Sequence, residues 1–239
     1  MTRLQSIVTV VDPAPTVVPN PWRDFPKQAP YVLAADAPHI HAFNSTLRHD
    51  DLHKIELGLP PEPWMGLHSA QLLVLLCNPG LDPGDFEASR HSVVASNWRA
   101  NLTTTGGIPV LWLNDQLADT PGGRWWRRAT KGLLELSLDY AEIAKRILAV
   151  EFHAYHSVKW WCPPVTLPSQ PAGFALVEQA IDREATIVLS RAVRFWKVAV
   201  PRLVDYPRLV ATRTVRSLSF GERNFTPRAY QLVREALFQ

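Results

Sequence analysis

One stretch limits the possible folds more than any other: Leu72-Leu-Val-Leu-Leu-Cys77, followed at once by Asn78-Pro79-Gly80. An apolar run without alternation suits a strand buried on both faces, as at the centre of a parallel sheet. Asn, Pro and Gly are turn formers and end the strand. In open α/β sheets, ligands bind beyond the carboxyl ends of the strands. Asn78 therefore stands where chemistry is expected.

Three later runs repeat the pattern at 148–152, 186–189 and 209–212. Between them lie helical spacings over 125–138, 140–147 and 173–184, and a helix follows Ser190-Arg191 through Arg202. Thr226 at N-cap and Pro227 at N1 open a final helix over 227–238. Earlier in the chain, a helix within 32–44 has Asp36 as its cap and Pro38 in its first turn. The proline-dense 59–66 reads as a stiff approach to the first strand. The polar 86–107 reads as a long loop or an irregular helix over the site. The segment 108–113 is a short strand or an edge segment, since Pro109 argues against a central strand. Strands alternating with helices predict an α/β fold: a three-layer α/β/α arrangement around a mostly parallel four-stranded sheet. Residues 1–30 are Pro-rich and read as an extended arm, with 31–239 as a single α/β domain. Three of the strands run into polar loops, at Asn78, at His153 and at 213–224. In a parallel sheet these loops share one edge.

The 239-residue chain carries a net charge of +3, unevenly spread. From Arg183 to the end there are eleven Arg and Lys against four Asp and Glu, or +7, so the remainder sums to −4. A basic C-terminal quarter suits a polyanion, although Arg can equally pair locally. The two cysteines, Cys77 and Cys162, cannot supply a four-Cys zinc or iron–sulfur site. Cys77 reads as a small buried hydrophobe. His39 and His41 are two apart and face different ways on a helix. His49 and His53 lack the Glu of H-E-x-x-H. No metal is expected. No basic start followed by an apolar block opens the chain, and no apolar run approaches the ~20 residues that span a bilayer. A cytoplasmic location without membrane contact is the expectation.

The strand and turn Leu75-Leu-Cys-Asn-Pro-Gly80 resemble the first motif of the uracil-DNA glycosylase superfamily, in the G-I-N-P-G form of its mismatch-specific uracil/thymine branch. The closing Arg216-Ser-Leu-Ser-Phe-Gly-Glu-Arg-Asn-Phe225 is similar to that superfamily's last motif, a loop that enters the DNA minor groove. Glu151-Phe-His-Ala-Tyr-His-Ser-Val-Lys159 stands where the superfamily has a strand ending in a base-reading Asn, and His153 holds that place. Leu76-Cys77 replaces the Gly-Ile of the first motif, and the His-Pro that opens the last motif is absent. The resemblance implies DNA as partner and hydrolysis of the bond between base and deoxyribose. Asn78 would position the water. Gly80, Asp82, His153 and Tyr155 would lie on the base side. Arg216, Ser217, Ser219, Arg223 and Asn224 would engage phosphate and backbone. No cofactor is implied. The residues leave alternatives at several of these positions. Asp82 and Asp85 form either a capping pair or, at Asp82, a second water-activating carboxylate. Tyr155 and the histidines could equally serve packing. Two other functions fit: a non-catalytic nucleic-acid-binding or regulatory protein of the same fold, and an α/β hydrolase acting on a small nucleotide or nucleoside.

Overall fold

The computed structural model of the protein describes residues 18–160, 166–214 and 218–239. Among the described residues the five strands are β1 (Trp64–Gly66), β2 (Leu72–Leu76), β3 (Ile147–Glu151), β4 (Thr186–Leu189) and β5 (Leu209–Ala211). Among the described residues the helices are α1 (Ala37–Ser45), α2 (Asp85–Ala88), α3 (Ser92–Thr103), α4 (Pro121–Thr130), α5 (Tyr140–Arg146), α6 (Gln170–Asp182), α7 (Val193–Ala199) and α8 (Pro227–Leu237).

The strands form one mixed sheet in the order β1-β3-β2-β4-β5. Four of them run parallel, with β2 between β3 and β4. Every residue of β2 is buried, as the unbroken apolar run requires of a central strand. The chain leaves β2 toward β3 on one side, then passes back over β2 to reach β4 on the other. Neighbouring β2 and β4 thus send their connections in opposite directions, the arrangement beside which open α/β sheets bind ligands at the carboxyl ends of their strands.

The fifth strand is β1, which pairs antiparallel with β3 at the sheet edge. The proline-dense approach segment hides it, because three residues are too few for a periodicity to show. Gly66 makes the pairing possible. Its φ is +118°, and a Cβ there would come within 2.1 Å of the Ile147 carbonyl oxygen, a conformation and a space open only to glycine.

Side-chain alternation assigns the two faces. Gly173 of α6 lies against Val150, and Phe152 packs on Phe174 and Trp196, so the even-numbered side chains of this stretch meet α6 and α7. Thr186 donates from Oγ1 to the Leu232 carbonyl of α8 at 3.2 Å. Thr186 shares its face with Leu72 and Ile147 by register, so α8 covers the opposite side.

Several helices differ from the sequence reading. The polar 86–107 contains two helices, α2 and α3, with Trp98 of α3 donating to the Pro61 carbonyl at 2.8 Å. The segment 108–113 is not a strand but ends in a buried 3₁₀ turn, Leu111–Leu113. α4 starts at Pro121, where Thr120 accepts from the Gly123 amide, and continues as a 3₁₀ stretch over Lys131–Leu136. α7 stops at Ala199, because Pro201 cannot continue it. α8 begins as expected, the Thr226 hydroxyl accepting from the Ala229 amide. Asp36 does precede α1 but caps nothing. Its fully buried carboxylate instead accepts from the Tyr155 hydroxyl at 2.7 Å and from the Ser169 amide at 3.0 Å. One carboxylate thereby joins α1, the loop after β3 and the start of α6. Trp22 and Phe25, from the proline-rich start, lie in the core, and Trp22 reaches the Tyr155 ring at 5.9 Å. No helix among the described residues is long and apolar enough to cross a membrane.

Candidate functional site

β2 and β3 deliver their polar ends to one place. The His153 amide donates to the Cys77 carbonyl at 2.8 Å and the Phe152 amide to the Leu76 carbonyl at 3.2 Å. The two strand ends are thus laced together beyond the sheet. A small cavity opens there, walled by Asn78, His153 and Tyr155 together with His53, Ser157 and Trp160, with Ile55 and Leu167 on its apolar side. Its volume is about 10 Å³, room for about one water.

The Asn78 amide is oriented by its neighbours. Its Nδ2 donates to the Pro79 carbonyl at 2.7 Å and to Ser157 Oγ at 2.9 Å. Ser157 in turn donates to the Lys159 carbonyl at 3.0 Å. A backbone carbonyl only accepts, so the NH₂ must face Pro79 and cannot be exchanged with the oxygen. Oδ1 is left as an acceptor with no hydrogen bond to any described residue.

His153 is buried, its ring 5.2 Å from Phe152 and 6.5 Å from Trp160. Burial pushes its pKa from 6.5 down to about 4. The ring is therefore neutral near pH 7, and a neutral imidazole carries one N–H and one lone pair. The unfolded chain takes up this proton first, so the contribution to stability is full above pH 6.5 and is lost as the pH falls toward 4. The loss reaches about 3 kcal/mol at the lower end. Burial, and after it the Arg183 charge, pushes His68 down to about 4 as well, with the same sign. The expected result is a urea midpoint that drops between pH 7 and pH 4.5 in the wild type and drops measurably less in His153→Gln. Equal slopes for the two proteins would contradict the burial argument.

Tyr155 reaches the cavity wall, but its hydroxyl is committed to Asp36 and to the Leu33 amide, which donates at 3.2 Å. Burial first, then the Asp36 charge, raises its pKa far above the usual phenol range. Gly80 is exposed, and a Cβ there would meet nothing within 4 Å, so its space does not demand glycine. Its carbonyl accepts from His156. Asp82 is also exposed and lies outside the cavity wall. It accepts from the Gly84 amide at 2.9 Å, while its own amide donates to Asp85 at 2.7 Å, so the two acids brace the turn into α2.

The closing loop lies between β5 and α8. Arg216 and Ser217 fall outside the described residues. Ser219 accepts at its carbonyl from Asn224 Nδ2 at 2.8 Å, and Asn224 Oδ1 accepts from the Thr214 amide at 3.0 Å, so Asn224 is spent on holding the loop. Arg223 is exposed. Loop and body meet at two glycines: a Cβ on Gly132 would lie 2.6 Å from Gly221 Cα. The cavity brings together Asn78, His153 and Tyr155; Ser219, Arg223 and Asn224 are not part of its wall. Ser157, His53 and Trp160 were not foreseen there. The antiparallel bridge between Glu56 and His156 carries the segment of His53 to the cavity, and no local pattern announces a single bridge.

Three acids also surround the turn. Burial raises the carboxyl pKa of Glu62, against the opposing pull of the His156 charge and of a hydrogen bond from Trp112 Nε1. Burial likewise raises Asp85. Burial, then the Glu62 charge, raises Glu151 well above the carboxylate range. No group of three or more His, Cys, Asp or Glu is placed to hold a metal ion among the described residues. No family model matches the sequence, and no curated protein or solved structure shows significant similarity to the chain.

Proposed function

We propose that the protein hydrolyses an N-glycosidic bond in DNA, in the manner of the superfamily its motifs resemble, with Asn78 holding the water. The target base must leave the stack and enter a pocket. Positive charge then develops on the sugar and negative charge on the departing base. The Asn78 amide carries this reading. Its donors are spent on Pro79 and Ser157, so its oxygen remains an acceptor at the wall of a water-sized space. An amide oxygen orients water but cannot take its proton as a carboxylate would. The driving force then comes from the cationic sugar. In this reading the neutral His153 ring, at the wall of the same space, faces the base. In this reading the four parallel strands and the helices on both faces are the superfamily's three-layer sheet, and β1 is an addition. Ser219 and Arg223, with Arg216 and Ser217, contact the DNA backbone, in keeping with the basic C-terminal quarter.

The test is a panel of duplexes carrying uracil, thymine mismatches, hypoxanthine or alkylated bases, treated with alkali to cut abasic sites. Cutting of at least one duplex supports the proposal, and none across the panel overturns it. One observation favours a second reading, a non-catalytic DNA-binding protein of this fold: the cavity, at about 10 Å³, is smaller than a base. Its signature would be a salt-dependent shift of plain DNA without cutting.

Trp160 links the two readings. It fills the space beside His153, 5.5 Å from Phe195, and its buried Nε1 has no hydrogen-bond partner among the described residues. An unpaired buried donor is costly, which offsets part of what the indole gains by packing here. If the indole must vacate for a base, the apparent affinity is reduced by the open fraction. Trp160→Ala is then expected to lower KM for the cleaved duplex by about 10-fold. An increased KM would mean that the indole packs on the substrate instead of excluding it.

A further inference from the structure

His156 lies in the loop after β3, three residues beyond His153, and is 7% exposed. Its Nδ1 is 2.7 Å from the Gly80 carbonyl oxygen and its Nε2 is 2.9 Å from the Pro60 carbonyl oxygen. Carbonyl oxygens only accept. A neutral imidazole carries one N–H and one lone pair, whereas an imidazolium carries two N–H groups. Both contacts are hydrogen bonds only in the imidazolium. In the neutral ring, one lone pair would face a carbonyl oxygen at hydrogen-bond distance.

The surroundings hold the ring in that geometry. The Glu56 amide donates to the His156 carbonyl at 2.9 Å, and the Glu62 amide donates to the Ala154 carbonyl at 2.8 Å. The backbone that carries the ring is therefore tied at Ala154 and at His156 itself, and both acceptors are backbone carbonyls. The charged groups around it are mostly acidic. Glu62, on the segment before β1, and Asp85, in the first turn of α2, both sense its charge. Glu56 faces it across the bridge. Asp82 and Arg124 act on Asp85, and Glu151 lies within reach of Glu62. Arg191 acts on Glu151, so two cations, Arg124 and Arg191, stand against five acids, of which burial raises Glu151 well above the carboxylate range.

We propose that His156 is a positioning residue held as an imidazolium, whose two N–H groups tie the Asn78-Pro79-Gly80 turn to Pro60 and set the turn for use. The next residue, Ser157, accepts from Asn78 itself. Adjacent side chains of one loop thus grip both ends of the turn, His156 at Gly80 and Ser157 at Asn78. Loss of the ring proton removes one of the two ties and loosens the turn. That consequence for catalysis rests on reading Asn78 as the water-holding residue; the charge state of the ring does not.

The experiment uses the full-length wild-type protein labelled with ¹⁵N at histidine. His156 is assigned by through-space contacts to Pro60 and Gly80 protons, so no variant need fold. The expected result at about pH 5 to 6 is a proton bonded to each ring nitrogen of His156. A single N–H throughout that range, in folded protein, overturns the proposal. Hydrogen exchange provides the second measurement, corrected for its intrinsic pH dependence. Protection of the Asp82, Gly84 and Asp85 amides, all bonded within the adjoining turn into α2 that follows Gly80, is expected to fall by about 10-fold or more between about pH 5 and pH 8. His156→Gln should show no such fall; a fall of the same size in His156→Gln, or none in the wild type, also overturns it. Two N–H groups in a protein that cuts no duplex would leave the tie standing and remove the glycosylase reading. Active protein with one N–H would do the reverse.

Discussion

Asn78→Ala is expected to reduce base excision by about 10²- to 10³-fold in single-turnover assays on whichever duplex the wild type cuts. The residue's two donors hold it against Pro79 and Ser157, and its oxygen is the remaining acceptor at the cavity. Alanine removes the acceptor and leaves the water without orientation. The cost in stability should be modest, about 1–2 kcal/mol, because two side-chain hydrogen bonds, to the Pro79 carbonyl and to Ser157, are lost at a half-buried position. Asn78→Asp is the sharper variant. A carboxylate has no donor to give Pro79, so two oxygens would meet at the present 2.7 Å. Ser157 could donate to the new carboxylate only by abandoning the Lys159 carbonyl. Asp is therefore expected to be no better than Ala, although it is the stronger base. Activity equal to wild type in either variant would remove Asn78 from the mechanism.

Trp196→Ala should be the most destabilising of the substitutions considered, by about 3–5 kcal/mol. That corresponds to a fall in Tm of about 6–20 °C for a chain of this size. The indole is fully buried in α7. It stands edge-on to Phe152 at 5.2 Å and to Phe174 at 5.8 Å, and its Nε1 donates to the Leu76 carbonyl at 2.9 Å. That carbonyl closes β2 two residues before Asn78, so the same side chain fills the core and pins the strand that carries the site. Trp196→Phe keeps an aromatic ring in place and loses the N–H. Leu76 still accepts from the Phe152 amide, so the lost hydrogen bond itself should cost only about 1 kcal/mol. Urea melts followed by circular dichroism separate the two variants. A Trp196→Ala cost below about 1 kcal/mol would refute the packing account.

The elements that could be read from residue order are those that satisfy themselves locally. A run of apolar residues can be buried on both faces wherever it lies, so β2 was recognisable, with its central position. Thr226-Pro227 caps α8 with its own atoms. The α/β alternation followed from the same short-range patterns. Elements that depend on a distant partner were not legible. β1 exists because β3 pairs with it and because Gly66 clears Ile147. Asp36, a capping residue by position, was drawn instead to Tyr155 and Ser169, which lie 119 and 133 residues away.

The candidate site divides along the same line. Asn78 and His153 were identifiable because each ends an apolar run, and strand ends share an edge in any parallel sheet. Their neighbours Ser157, His53, Trp160 and His156 were set by three-dimensional closure. The hydrogen bonds that orient the Asn78 amide, and the pair of carbonyls that demand two protons on His156, are made across 79, 76 and 96 residues of sequence. Patterning decides which segments must be buried, since burial of apolar surface is additive and local. The direction of an amide or the charge of a ring depends on which acceptors the fold brings within 3 Å of it, and only the tertiary structure decides that.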